Sequence, residues 1–348
     1  MSPNKYSVIL GNLGNTCDRF LPTGYKDPIT TADKLEMAAS IPGISGIELV
    51  GGWDITPDNV REINEAMAAH ELACVSIIPD LFSKRVWGNG SFCSRDATVR
   101  REALDEANQA AEIAESIDCP LVNLWLGQDG YDYPLQADFS RQRGWMVDGI
   151  HTVVARWPRL RFALEYKSKE PRNRSFQARA ADTLLMAQEI GLPNVGVCID
   201  VGHAFVAGEN VAESAWLLHH YGQKLFHLHY NDNYTQWDDD MIVGSVHLVT
   251  YVELQYWLRQ IGYQGWHSMD LYPYREDGAR AVGESVGFLR DLEQALTPER
   301  MAEIQKLIAT GDATASTRWM REFVFGRHRA DELTNGQHVT GARRNASR

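Results

Sequence analysis

Cysteine is scarce in this chain, and its spacing pairs none of it. The five residues are Cys17, Cys74, Cys93, Cys119 and Cys198, with no CxxC among them. That excludes a zinc finger and a disulfide scaffold, and an odd count predicts reduced thiols in a cytoplasmic protein. Long apolar runs are missing as well: nothing approaches the ~18 residues that a membrane span needs. The opening MSPNKYSVIL lacks the basic flank and apolar stretch of a signal peptide. Positive charge is in deficit, with 34 Lys and Arg against 46 Asp and Glu and a net charge of −12. Neither nucleic acid nor an anionic membrane is therefore expected as a partner, because both select basic surfaces. A glycine is missing too. Gly11-Asn-Leu-Gly14 follows the first apolar run without the third glycine of a dinucleotide fingerprint.

What is present is a repeat of short apolar runs, each followed by a stretch of helical period. The runs Ser7–Leu10, Gly46–Val50, Ala73–Ile78, Leu121–Trp125, Phe162–Glu165, Val195–Asp200, Leu225–His229 and Trp266–Asp270 read as strands buried on both faces. Helices are predicted near 31–40, 57–70, 98–117, 138–156, 175–190, 211–221, 247–261 and 278–295, with Thr56-Pro57 as the start of the second. Eight strand–helix units in succession predict an α/β fold, a (β/α)₈ barrel over residues 1–296. Thr297-Pro298-Glu299 opens a helical extension over 297–326, whose apolar face must cover the barrel bottom or a partner. From Arg327 the chain is polar, with five Arg and two acids, and reads as a flexible tail over 327–348.

Polar residues collect at the ends of the last four strands. They are Glu165 and Lys167, then Asp200 and His203, then His227 and His229, then Asp270 and Arg275. A buried strand tolerates a carboxylate only where something compensates its charge. In a barrel these ends share the catalytic rim, so the set predicts a divalent cation held by oxygen and imidazole, with Mn²⁺ preferred and Mg²⁺ or Co²⁺ suited. His227 and His229 have the same parity, and the one nearer the rim is the preferred ligand. Three long loops, Pro79–Ala97, Leu126–Ala137 and Tyr230–Val246, carry Phe82, Trp87, Phe92, Tyr131, Tyr133, Tyr234 and Trp237, which either line a pocket or pack the loops down.

The segments EYKSKEP, IDVGHAF, HLHYNDN and DDDMIVGS, with the terminal Asp270, resemble the xylose-isomerase-like TIM barrels over roughly 6–295, and within them the L-rhamnose isomerase branch. The resemblance implies Glu165, Asp200, His229 and Asp270 as ligands of one ion. It implies Glu165 and Asp270 as the acid/base pair, with His203 touching substrate or, together with Asp238, a second ion. Lys167 would bind a sugar oxygen, with Trp125 and Arg275 also on the substrate. Such a site removes a proton beside a sugar carbonyl and permits isomerisation, epimerisation or elimination. The short N-terminal region, the extension and the aromatic loops resemble the large subunit of bacterial C-glycoside deglycosidases. That likeness implies elimination of the aryl group from 3-oxo-C-glucosides, an oligomer, and a smaller β-rich partner subunit. The alternative is an aldose–ketose isomerase or a ketose 3-epimerase, and the epimerase branch has Glu where this chain has Asp270. An endonuclease of the same superfamily would need more ligands and a phosphate-binding surface, against which the charge of −12 argues.

Overall fold

A computed structural model of the protein describes residues 4–17 and 20–326. The chain divides into two compact units, the first ending at Gln294 and the second starting at Ala295. In the first unit eight parallel strands close into a barrel. They are β1 (Lys5–Ile9), β2 (Ile44–Val50), β3 (Ala73–Ile78), β4 (Leu121–Trp125), β6 (Arg161–Glu165), β8 (Val195–Asp200), β9 (Leu225–Tyr230) and β10 (Trp266–Met269). β1 pairs with both β2 and β10, which closes the ring. Eight helices follow their strands: α1 (Thr31–Ser40), α2 (Val60–Ala69), α3 (Ala97–Ser116), α4 (Phe139–Arg156), α5 (Ala180–Ile190), α7 (Val211–His220), α8 (Leu248–Gln260) and α9 (Gly278–Ala295). A one-turn helix, α6 (Val201–Val206), directly follows β8. Val8, Ile47, Leu49, Ile77, Val122, Leu124, Phe162, Val197 and Leu228 are fully buried, so burial on both strand faces is what the apolar runs encode.

Two helix starts differ from the sequence expectation. Thr56 and Asn59 bond each other reciprocally, backbone N–H to side-chain oxygen in both directions, so Pro57 lies in a closed turn and α2 begins at Val60. Residues 175–179 are not helical either. Arg174–Ser175 (β7) pairs antiparallel with Gly130–Tyr131 (β5), and this ribbon ties the loop after β6 to the loop after β4. Both elements were invisible because a two-residue strand has no period.

The second unit contains α10 (Pro298–Thr310), capped by the Thr297 hydroxyl and ended by Gly311, and α11 (Ala313–Phe325). The Trp319 indole donates to Glu303, and Arg300 lies over the Phe323 ring. The expected tail, 327–348, lies outside the described residues. Among the described residues no helix is long and apolar enough to cross a membrane.

Between the barrel and its helices, His267 is buried and its Nδ1 meets the Tyr230 hydroxyl at 2.8 Å. Burial, with His227 beside it, pulls His267 down to about 3. The unfolded chain, with its ring near ~6.5, binds a proton that the folded chain refuses. Stability from this group is therefore complete above pH ~6.5 and falls as the pH drops, by at most ~1.4 kcal/mol per unit. Urea unfolding at pH 7 and pH 5 is expected to show a smaller difference for His267→Gln than for the parent. An equal difference would remove His267 from the acid response.

Candidate active site

Strand register assembles the site. Glu165 ends β6 beside Trp125 of β4, Asp200 ends β8 opposite His229 of β9, and Ser268 of β10 pairs with His229 two residues before Asp270. One donor atom from each of Glu165, Asp200, His229 and Asp270 lies within 4.8 Å of all the others. The His229 Nδ1 is 3.4 Å from Glu165 Oε2 and 3.4 Å from Asp270 Oδ2. These are the four residues that the resemblance implies for one ion, and Asp270 is the one most open to the cleft.

The residues fit a divalent cation on two observations. His229 Nδ1 is buried without a hydrogen-bond partner, at the meeting point of the carboxylates. Three carboxylates at one buried point also need a positive charge there, and three oxygens with one imidazole suit a hard or borderline ion. Burial, opposed by His203 but reinforced by Asp238, Asp270 and Glu165, pushes Asp200 up to about 7. Burial alone would lower His229, but Cys198, Glu165 and Glu48 hold it well above its ordinary range.

His227 lies one layer deeper and is not among the four. Its Nε2 meets Glu48 Oε1 at 2.8 Å, while Glu48 Oε2 lies 3.3 Å from His229 Nε2 and accepts the Ser76 hydroxyl. Glu48, buried in the middle of β2, thus fixes the His229 tautomer with Nδ1 free for a ligand bond. Despite burial, the two histidines hold Glu48 well below the usual carboxylate range. The sequence reading missed Glu48. Its signal was the same as at the other strands, a carboxylate inside the apolar run ISGIELV. Asn123, also missed, donates to Glu165 Oε2 at 2.6 Å, and Asn231 donates to Asp200 Oδ2 at 2.9 Å. Glu48→Gln is expected to weaken ion binding by ~10–100-fold with the fold intact. A Mn²⁺ titration followed by electron paramagnetic resonance, with thermal unfolding as control, checks this; an unchanged affinity would leave Glu48 a packing residue.

Asp200 also caps α6, accepting from the His203 backbone N–H at 2.8 Å, and this turn presents the His203 ring to the cleft. His203 Nδ1 is 3.4 Å from Glu165 Oε1, and its Nε2 is 2.9 Å from Asp238 Oδ2. The same Asp238 oxygen accepts from Lys167 Nζ at 2.7 Å. Asp238 therefore bridges two cationic side chains, and despite its burial they hold its pKa low. Asp200, His203 and Asp238 still offer three donor atoms within 4.8 Å of one another, so Asp200 joins the His203–Asp238 pair that the resemblance implied for a second ion. Burial would lower His203, but Asp200 and Asp238 raise it to about 9. Burial and its neighbours Asp238, Asp270 and Asp200 raise Asp240, another acid on the cleft wall, well above its usual value.

The cleft above these groups has a volume of about 380 Å³. One wall is apolar: Trp53 meets Phe82 edge-on at 5.4 Å, and Phe82 meets Trp125 at 4.7 Å. The polar lining includes Lys167, His203, Asp238 and Asp240, with Lys167 Nζ 5.5 Å from the Trp125 ring centre. Trp125 thus faces the site as predicted, and its buried Nε1 has no partner. Arg275 does not reach this cleft. Its guanidinium lies 4.3 Å over the Tyr25 ring and borders a neighbouring cavity, with Tyr234 and Trp237. Of the loop aromatics, Trp87 and Phe92 are buried and pack down the loop that follows β3.

The chain matches a known family. Residues 35–292 fit the xylose isomerase-like TIM barrel family, and the chain belongs to it. It is 25% identical over 229 residues to the xylose isomerase of Thermus thermophilus, covering 64% of this chain and 59% of that enzyme. The fold also matches a D-tagatose 3-epimerase-like protein, with a TM-score of 0.65 and 19% identity, over 84% of this chain and 100% of the other. A 3-keto-D-glucoside 4-epimerase from E. coli matches with a TM-score of 0.62 and 18% identity, over 83% of this chain and 100% of that one.

Proposed function

We propose that this protein is a divalent-metal-dependent sugar isomerase or epimerase that removes and returns a proton beside a sugar carbonyl. The observation that carries the reading is the pair of carboxylates, Glu165 and Asp270, converging on the unpartnered His229 Nδ1 from two different strands. Relatives named as a xylose isomerase and as sugar epimerases support it. The ion, when bound, would polarise the carbonyl and its neighbouring hydroxyl. Glu165, held ionised by His229 and Asn123 against its burial, is the base. Asp270, across the site, exchanges the proton on the other side. His203 and Lys167, fixed through Asp238, orient the sugar oxygens, and the aromatic wall excludes water.

Lys167→Met is expected to raise KM about tenfold or more and to change ion affinity little, because the lost contact is a charged hydrogen bond to substrate. Substrate kinetics beside a Mn²⁺ titration check the split, and a larger loss of ion affinity than of substrate affinity would remove Lys167 from the sugar.

A second reading, elimination of the aryl group from a 3-oxo-C-glucoside with a smaller β-rich partner subunit, is favoured by one observation. The aromatic wall formed by Trp53, Phe82 and Trp125 gives a flat group a place beside the acids. The relatives favour isomerisation or epimerisation over it. Proton exchange in D₂O by the Mn²⁺-loaded protein, followed by NMR, separates the readings. Deuterium entering a free ketose is expected, and the labelled carbon distinguishes isomerase from epimerase. Aglycone release from the glucoside without exchange into any ketose would overturn the first reading in favour of the second.

A further inference from the structure

The opposite end of the barrel has the reverse electrostatic character. A cavity of about 440 Å³ opens at the N-terminal ends of the strands, and no carboxylate lines it. Its polar groups are Lys5, Arg161, two histidines and two glutamines, in a chain of net charge −12. Neither Lys5 nor Arg161 has a carboxylate partner among the described residues. Each instead rests on an aromatic face: Lys5 Nζ lies 5.0 Å from the Trp266 ring centre, and Arg161 lies 3.8 Å from that of Phe226.

Two glycines inside strands make room for these rings. A side chain at Gly46 of β2 would come within 2.8 Å of the Trp266 ring, and one at Gly196 of β8 would collide with Phe226. Glycine weakens a strand interior and marks a close approach. The same arrangement, backbone, then ring, then cation, is therefore built twice at one mouth. Between the two stands Tyr263, its hydroxyl donating to the Trp266 carbonyl at 3.0 Å. The ends of barrel strands away from the catalytic rim ordinarily serve stability alone. A stabilising role explains the aromatic packing. It does not explain two cations without acid partners in a cavity whose lining includes no carboxylate, Glu48 entering only as the partner of His227.

We propose that this mouth is a second binding site, one that takes a small aromatic oxyanion such as an aryl carboxylate. The carboxylate would accept two parallel hydrogen bonds from the Arg161 guanidinium, with Lys5 adding a second charge. The ring of the ligand would lie among Phe226, Tyr263 and Trp266, where apolar area is removed from water. The site takes no part in the metal chemistry, so its occupancy can be read without turnover.

Calorimetric titration of the full-length, metal-loaded protein with benzoate, and separately with inorganic phosphate, tests this. Saturable binding of one benzoate per chain is expected, weakened by added salt and at least about tenfold tighter than phosphate. Arg161→Met is expected to weaken benzoate binding about tenfold, and Lys5→Met by less, both with an unchanged thermal midpoint. If Arg161→Met does not fold, Lys5→Met carries the test, since that side chain is exposed and replaceable. Glu165→Gln is expected to leave benzoate binding as it was. No saturation at millimolar benzoate overturns the proposal. So does equal binding of phosphate, binding indifferent to both cation substitutions, or binding lost in Glu165→Gln, which would put the anion on the metal instead.

Discussion

Glu165→Gln is expected to lower proton exchange and turnover by about 10³-fold or more while the fold is retained. The amide keeps the shape and one oxygen but cannot take a proton from carbon. Asn123 Nδ2, now 2.6 Å from Oε2, can still meet the amide oxygen, so the side chain stays in place. Asp270→Asn is the informative companion. An epimerase that uses one carboxylate on each side of the sugar loses net conversion in both variants. In the Asn variant it can still exchange deuterium from the side that Glu165 serves. Solvent-exchange NMR on each variant with its substrate reads this directly. Near-normal exchange in Glu165→Gln would falsify the assignment of the base.

Removal of the ion is expected to have an effect of similar size. Three acids and a histidine converge at the barrel rim, and burial with the neighbouring carboxylates pushes Asp200 up to about 7. Chelation is therefore expected to abolish turnover, and added Mn²⁺ to restore it. Asp200→Asn removes one ligand charge and is expected to raise the Mn²⁺ concentration needed for half-maximal activity by at least about tenfold. Asp200 also caps α6, but asparagine is as good a cap, so the loss is expected in ion binding rather than in stability. Full activity after exhaustive chelation would remove the metal from the reaction and the proposed function with it.

Much of this follows from local chemistry and was therefore legible in order along the chain. A strand buried on both faces must be a short apolar run, so eight such runs declared eight strands, and their boundaries fell within about two residues of those observed. An acid or histidine at the end of such a run is costly enough to need a reason, which singled out Glu165, Asp200, His229 and Asp270. What the chain could not show is which atoms meet. Glu48 sits 181 positions from His229, and only closure of the barrel puts its carboxylate against that ring. Asp238 was readable as an acid near the site, but its bridge between Lys167 and His203 depends on how the loop after β9 folds back. Arg275 had the right chemistry at the right strand end, but it lies over Tyr25, between β1 and α1, and not in the cleft. The sequence by itself determined the barrel and the four candidate ligand positions at its rim, because burial and buried charge act residue by residue. The tertiary structure alone decided the residues that hold those ligands, since hydrogen bonds between distant strands exist only after the ring has closed.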